Sequence, residues 1–221
     1  MGHYFPMRLD HVSYVASHDQ ISDVVQRIGS QIGTAFVDGG IHPRFGTRNF
    51  TAPLLNGQYI EVVCPLDHPT AEQTPFGKAV SRKANEGGGW LTWVFSTEDL
   101  APIEKELGRD AVEGHRRRPD GTALSWKQIG IIELLDSADL PFFIKWETPE
   151  HPNKDGKAAA EISKIELNIA PSNREYIENV IQKSENISNS NLLLTDNSSK
   201  DVDNGISRII FNCNGSEVTV E

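Results

Sequence analysis

The chain has 221 residues, 38% of them hydrophobic and 24% charged, which is an ordinary globular composition with length for one large domain or two small ones. Its formal net charge of -10 excludes a general binder of nucleic acid or of anionic membrane, since both need basic surface. No apolar run approaches the roughly 20 residues of a membrane span. The first residues lack a basic-then-apolar leader, and Cys64 and Cys213 are too few for a disulfide scaffold or zinc knuckle. The expectation is a cytoplasmic protein with two buried free thiols.

Residues 9–16 read as a strand, apolar and β-branched, carrying His11. Asp19 is a plausible cap for a helix over 20–29, because Ile21, Val24, Val25 and Ile28 recur on one helical face. Gly29 and Gly33 are expected to stop it. A short strand over 34–37 then leads into Gly39-Gly40-Ile41-His42-Pro43-Arg44-Phe45-Gly46-Thr47-Arg48-Asn49, a glycine-rich stretch expected as a surface loop that lets a ligand approach the backbone. Residues 48–55 and 58–64 form a hairpin around Asn56-Gly57, a strong turn signal. The first order is therefore β-α-β-β-β.

Residues 65–89 are a connector with a helix expected over 76–84. The order then repeats: a strand over 90–96, a helix capped by Thr97 or Asp99 and ending at Gly108, and strands over 111–116, 124–132 and 141–147. Gly114-His115 precedes Gly121-Thr122 much as His42 precedes Gly46-Thr47. Internal repetition of one unit is the informative feature. After a polar linker over 149–157 comes a third, shorter unit: a strand over 162–170, a helix to about 183, a stretch rich in Asn, Ser and Asp, and a closing hairpin around Asn214-Gly215. It holds few residues suited to chemistry, and a structural role is expected for it.

The repeated unit, His11 on the first strand and Tyr59-Ile60-Glu61 on the fourth resemble the vicinal oxygen chelate superfamily. Within it, Gly39-Gly40-x-His42-Pro43-x-x-Gly46-Thr47-x-Asn49 resembles the glyoxalase-like domain family. The resemblance implies an α+β fold in which paired βαβββ modules make a curved open barrel around a pocket. It covers a two-module domain over 8–150, with 158–221 as a C-terminal partial α/β unit packed on it. It also implies a divalent metal held by His11 and Glu61, both acceptable ligands for zinc, manganese, iron or nickel. The second module breaks that pattern, with Leu91 aligned to His11 and Lys145 to Glu61. No nucleotide cofactor is expected, since no phosphate-cradling or dinucleotide loop occurs. Homodimers are frequent in the superfamily, although two units in one chain can pair alone.

The candidate catalytic residues are His11, His42 and Glu61. Candidates for substrate contact are Asn49, Tyr59, His115, Trp126 and Lys145. Each has a plainer alternative. A strand histidine is often a hydrogen-bonded core residue, Glu61 could face water, and His42 could be a solvated turn residue. His115 is singled out for its pairing with His42. Trp90, Trp93 and Trp146 are expected in the core, while Trp126, after the Pro119-Asp120-Gly121 turn, is the aromatic candidate for the pocket. Arg116-Arg117-Arg118 reads as a solvated strand end, or as one arginine reaching in to grip a carboxylate. The chain is thus expected to act on a small oxygenated organic molecule, as a lyase, isomerase or related enzyme. The competing expectation is a metal-free binder of the same fold, resembling resistance proteins. In a third reading the C-terminal unit is an interaction module.

Overall fold

The computed structural model describes residues 6–198 and 203–221. β1 (Met7–Val15) is followed by α1 (Ile21–Ile32), β2 (Val37–His42), β3 (Thr47–Pro53) and β4 (Tyr59–Pro65). After α2 (Pro75–Asn85) come β5 (Gly89–Thr97), α3 (Ala101–Leu107), β6 (Val112–Arg117) and β7 (Ala123–Ile129). A short α4 (Ile131–Asp136) and β8 (Phe142–Trp146) complete the second unit.

The repeated order is present, with local corrections. α1 passes through Gly29 and ends before Gly33, whose N–H caps the Gly29 carbonyl. Its buried face is Ile21, Ile28 and Ile32. Asp19 does not cap it; that carboxylate accepts from the Ser17 hydroxyl instead. Gly39 and Gly40 belong to β2 rather than to a loop. The strand expected to reach residue 132 stops at Ile129, because Gly130 (φ 108) turns the chain into α4. A left-handed angle of that kind suits glycine and interrupts a strand.

The eight strands close into a barrel in the order β1-β4-β3-β2-β6-β7-β8-β5. In each half the first and last strands pair in parallel, β1 with β4 and β5 with β8. The halves meet along an antiparallel β1–β5 contact. On the far side the ring is closed by one residue pair, Ile41 with Arg117. Gly40 makes that closure feasible: it sits at φ 93, and a Cβ there would stand 2.2 Å from the Arg117 carbonyl oxygen.

A second sheet packs outside the barrel. β9 (Ala160–Ile169), α5 (Arg174–Gln182), β10 (Leu192–Asp196), β11 (Gly205–Cys213) and β12 (Ser216–Val220) give the order β10-β9-β11-β12. The apolar run 192–194 is thus a strand, parallel to β9. One buried cluster joins the two sheets, including Val12 and Trp93 from the barrel and Ile165 and Ile209 from the outer sheet. Burying each such side chain contributes about 1.5–3 kcal/mol. Trp90 adds a bond from its indole N–H to the Val220 carbonyl, 2.9 Å.

The chain after α5 also reaches β1. Met7 N–H donates to the Lys183 carbonyl and Glu185 N–H to the Met7 carbonyl. Asn186 holds Leu9 from both sides: its amide oxygen accepts from Leu9 N–H (2.7 Å) and its amide nitrogen donates to the Leu9 carbonyl (2.9 Å). Pairing of β1 with β4 begins only at His11, so these residues cover backbone groups that β4 leaves bare. Cys64 is a buried free thiol, as expected, whereas Cys213 is only half-buried at the end of β11. No helix among the described residues is long and apolar enough to cross a membrane.

Candidate functional site

Strand alternation decides which side chains enter the barrel. β4 sends in Tyr59 and Glu61, β3 sends in Asn49, and β2 sends in His42. From the second half come Arg116 on β6, Trp126 and Gln128 on β7, and Phe142, Ile144 and Trp146 on β8. They enclose a small cavity, with about 30 Å³ free for water-sized occupants. That suffices for a water or two.

β1 departs from simple alternation. Its register against β5 shifts between Leu9 and His11, a bulge around Asp10. Bulges re-aim side chains, and here Asp10 and His11 are both buried and bonded to each other. Asp10 Oδ1 meets His11 Nδ1 at 2.7 Å. Asp10 Oδ2 accepts from Trp146 Nε1 (3.1 Å) and from His151 Nε2 (2.9 Å). His151 Nδ1 accepts from the Asn153 N–H, so its Nε2 carries the proton. Burial alone would raise the Asp10 carboxyl, but the bonds from His11 and His151 outweigh it and hold it well below the usual carboxylate range. An ionised Asp10 can only accept, so His11 Nδ1 is the donor. In that tautomer the lone pair is on Nε2, which makes no hydrogen bond among the described residues. Tyr59 stacks on the ring, centroids 4.4 Å apart, and fixes its plane.

Glu61 faces the cavity and not water. Oε2 accepts from the Ser13 hydroxyl and Oε1 from the Asn49 amide, both at 2.7 Å. Burial pushes its carboxyl up; the neighbouring His11 and His42 and the two hydrogen bonds overcome that and leave it lowered. It is a settled anion and a weak base. His42 Nδ1 lies 3.0 Å from the Thr47 hydroxyl, and burial pushes the ring down to about 4, with Glu61 opposing and Arg116 reinforcing. It is neutral at pH 7. Burial and the nearby Asp10 and Glu61 carboxylates raise the Tyr59 phenol well above its ordinary value, which keeps it a donor.

Sequence reasoning brought together His11, His42, Asn49, Tyr59, Glu61 and Trp126, and the cavity holds all six. Two candidates lie elsewhere. His115 is exposed on the opposite face of β6 from Arg116. Lys145 is opposite Lys127 on the outer face of β8, between the inward Ile144 and Trp146. In both, a one-residue step along a strand reverses the direction of the side chain. Missed from the sequence were Asp10, Ser13, Gln128 and His151. Asp10 was hidden by the bulge, since alternation places it opposite to His11. Ser13 was legible, two residues beyond His11 on the same strand.

A divalent ion does not fit these donors. Among the described residues no three His, Cys, Asp or Glu side chains are grouped as a metal needs. The second half supplies Val94, Phe142 and Ile144 where ligands would stand, and a buried guanidinium shares the cavity. Both Glu61 oxygens already accept hydrogen bonds.

The family model described as "Glyoxalase-like domain" matches residues 9–183. Among curated proteins none matches the sequence. A hypothetical protein from Staphylococcus aureus superposes with a TM-score of 0.65 at 15% identity, over 95% of this chain and 92% of that one. That likeness shows a shared fold. Methylmalonyl-CoA epimerase from Mycobacterium tuberculosis gives 0.44 at 15% identity, over 66% of this chain and 91% of that one. A Streptomyces coelicolor methylmalonyl-CoA epimerase variant in complex with 2-nitronate-propionyl-CoA gives 0.44 at 18%, over 66% and 99%. These two superpose too loosely to carry an argument. The family match, which spans the barrel and runs through α5, makes this chain a member of the glyoxalase-like domain family.

Proposed function

We propose that the barrel cavity is a proton-transfer site for a small oxygenated organic molecule, giving isomerase or lyase chemistry. The observation that carries this is the buried Asp10–His11 pair, with His11 Nε2 left unbonded inside the cavity. A carboxylate that fixes the tautomer and orientation of an imidazole, and favours its protonated form, is the arrangement of a general base. His11 Nε2 takes a proton from carbon next to a carbonyl. The C–H electron pair moves onto the carbonyl oxygen as an enolate, which the Tyr59 phenol is available to meet as a donor. Return of the proton to another face or another carbon completes an isomerisation. Glu61 stays ionised and stabilises the imidazolium, and His42 stays neutral as a polar contact.

The test is exchange of carbon-bound hydrogen in D2O, followed by NMR with hydroxyacetone, methylglyoxal and pyruvate as probes. Exchange above background that His11→Asn abolishes supports the reading. Binding of a probe without exchange replaces it with the binder reading, which the apolar second-half wall favours. One metal ion per chain in untagged protein, lost in Glu61→Gln, would instead restore a metal-dependent mechanism. The outer unit over 158–221 is proposed as a structural buttress, through its hold on β1.

A further inference from the structure

Resting on that reading of the cavity, we propose that its substrate is a small organic acid, whose carboxylate is held by Arg116 across the barrel from His11. Arg116 is 2% exposed and lines the cavity. Of its guanidinium nitrogens only Nη1 is bonded, to the Gly39 carbonyl (2.6 Å) and the Asn49 amide oxygen (2.8 Å). Nε and Nη2 have no partner among the described residues, and neither is among the side-chain nitrogens sealed in the protein without one. That pair of N–H groups is an edge that grips a carboxylate through two parallel bonds.

Arg8, Arg27, Arg44, Arg82 and Arg117 are exposed, so water solvates their charge. Arg48, Arg109, Arg118, Arg174 and Arg208 each pair with a carboxylate, and Arg116 pairs with none among the described residues. A buried guanidinium lacking a counter-charge is costly. Its seat is nevertheless built for it: a Cβ on Gly39 would stand 1.9 Å from Arg116 Nη1 and 2.1 Å from the Asn49 amide oxygen. Glu61 is the nearest rival for the charge, but Asn49 stands between them, donating to Glu61 and accepting from Arg116. The guanidinium is thereby oriented and not consumed.

Barrel order sets the length of the ligand. β6 lies four strands from β1 in either direction around the ring of eight, so Arg116 and His11 occupy opposite walls. A molecule gripped by one and deprotonated by the other must place its acid group and its reacting carbon within a few bonds, which describes a short oxo- or hydroxy-acid.

The experiment is a titration by ligand-observed NMR and thermal shift, with pyruvate and 2-oxobutyrate against the neutral methyl pyruvate. Wild type is compared with Arg116→Gln, Arg116→Lys and the exposed control Arg117→Gln. The acids are expected to bind the wild type and the Arg117 variant alike. Binding should weaken at least about tenfold in Arg116→Gln and less in Arg116→Lys, which keeps the charge but not the fork. The ester is expected to show no dependence on residue 116. Equal binding of acids to wild type and Arg116→Gln, in protein whose circular dichroism is unchanged, overturns the proposal, as does no acid binding at all. Arg116-dependent acid binding without hydrogen exchange would sink the proton-transfer reading and leave this one standing. Exchange on neutral carbonyls that ignores residue 116 would do the reverse.

Discussion

The two halves of the barrel share one strand order and one parallel pairing of first with last strand, yet they line the cavity with opposite chemistry. The first half contributes His11, His42, Asn49, Tyr59 and Glu61, with Asp10 bonded behind His11. The second contributes Phe142, Ile144, Gln128 and two tryptophans, with Arg116 as the charged group it turns into the cavity. Where β3 places Asn49 opposite Gly40, β7 places Trp126 opposite Gly114. A glycine clears room for each inward side chain: a Cβ on Gly39, next to Gly40, would lie 2.1 Å from the Asn49 amide oxygen, and one on Gly114 would lie 2.3 Å from the Trp126 ring. Repetition preserved the backbone, and divergence split the labour. One wall carries the groups proposed to move protons, while the other shapes the space and supplies a cation.

The most damaging way to break this division is at Asp10. It collects three N–H donors, from His11, Trp146 and His151, and so ties the first half to β8 and the linker beyond it. Asp10→Ala strands those donors in a buried place and is expected to cost about 3–5 kcal/mol by urea denaturation. A loss below about 1 kcal/mol would mean that Asp10 is not the hub described here.

Next comes acid. The folded His42 ring titrates near 4 because burial opposes its charge, against 6.5 for the free side chain. Between those values the unfolded chain binds a proton that the folded chain does not. Stability is therefore complete above about pH 6.5 and falls as pH drops toward 4, by about 3 kcal/mol for this group. His42→Gln removes that part of the slope. An unchanged pH profile in this variant would place His42 in contact with water.

How much of this was readable from the residues differs between the halves for a physical reason. The repeat and the Asn56-Gly57 turn follow from local chemistry and period-two alternation, while the pairing of His11 with Glu61 came from the family resemblance. Asp10 follows from neither, because a bulge is a register event between strands far apart in sequence. His151 lies in a polar linker with nothing local to mark it. Arg116 was one of three adjacent arginines, and only the direction of β6 separates the inward one from its exposed neighbours. Lys145 was misplaced by alignment of strand ends, where a single-residue slip reverses every side chain.

Gly39→Ala sharpens the claim that the first half seats the cation of the second. Gly39 is not in the left-handed region, so alanine strains no backbone angle there, and the whole effect is the clash with Arg116 and Asn49. Overpacking of this kind costs about 1–3 kcal/mol, and protection by pyruvate should disappear with it. Asn186→Ala comes next in size, at about 1–2 kcal/mol, since it strips both hydrogen bonds from Leu9 beside the bulge. If the outer unit buttresses the base, this variant also slows hydrogen exchange without weakening acid binding at Arg116.

The smallest expected effects test the division from outside the barrel. Lys145 sits opposite Lys127 on the outer face, and Lys127 in turn lies 3.9 Å from Glu147 in a largely exposed pair. His115 is exposed on the solvent side of β6. Removing either side chain touches no cavity wall, so Lys145→Ala and His115→Ala should stay within about 0.5 kcal/mol of wild type. Both should leave acid binding unchanged. A clear loss of binding in either one would mean that a β-strand of the second half runs one residue out of the register described. The inward set would then be Lys145 and His115, and Arg116 would belong to the surface.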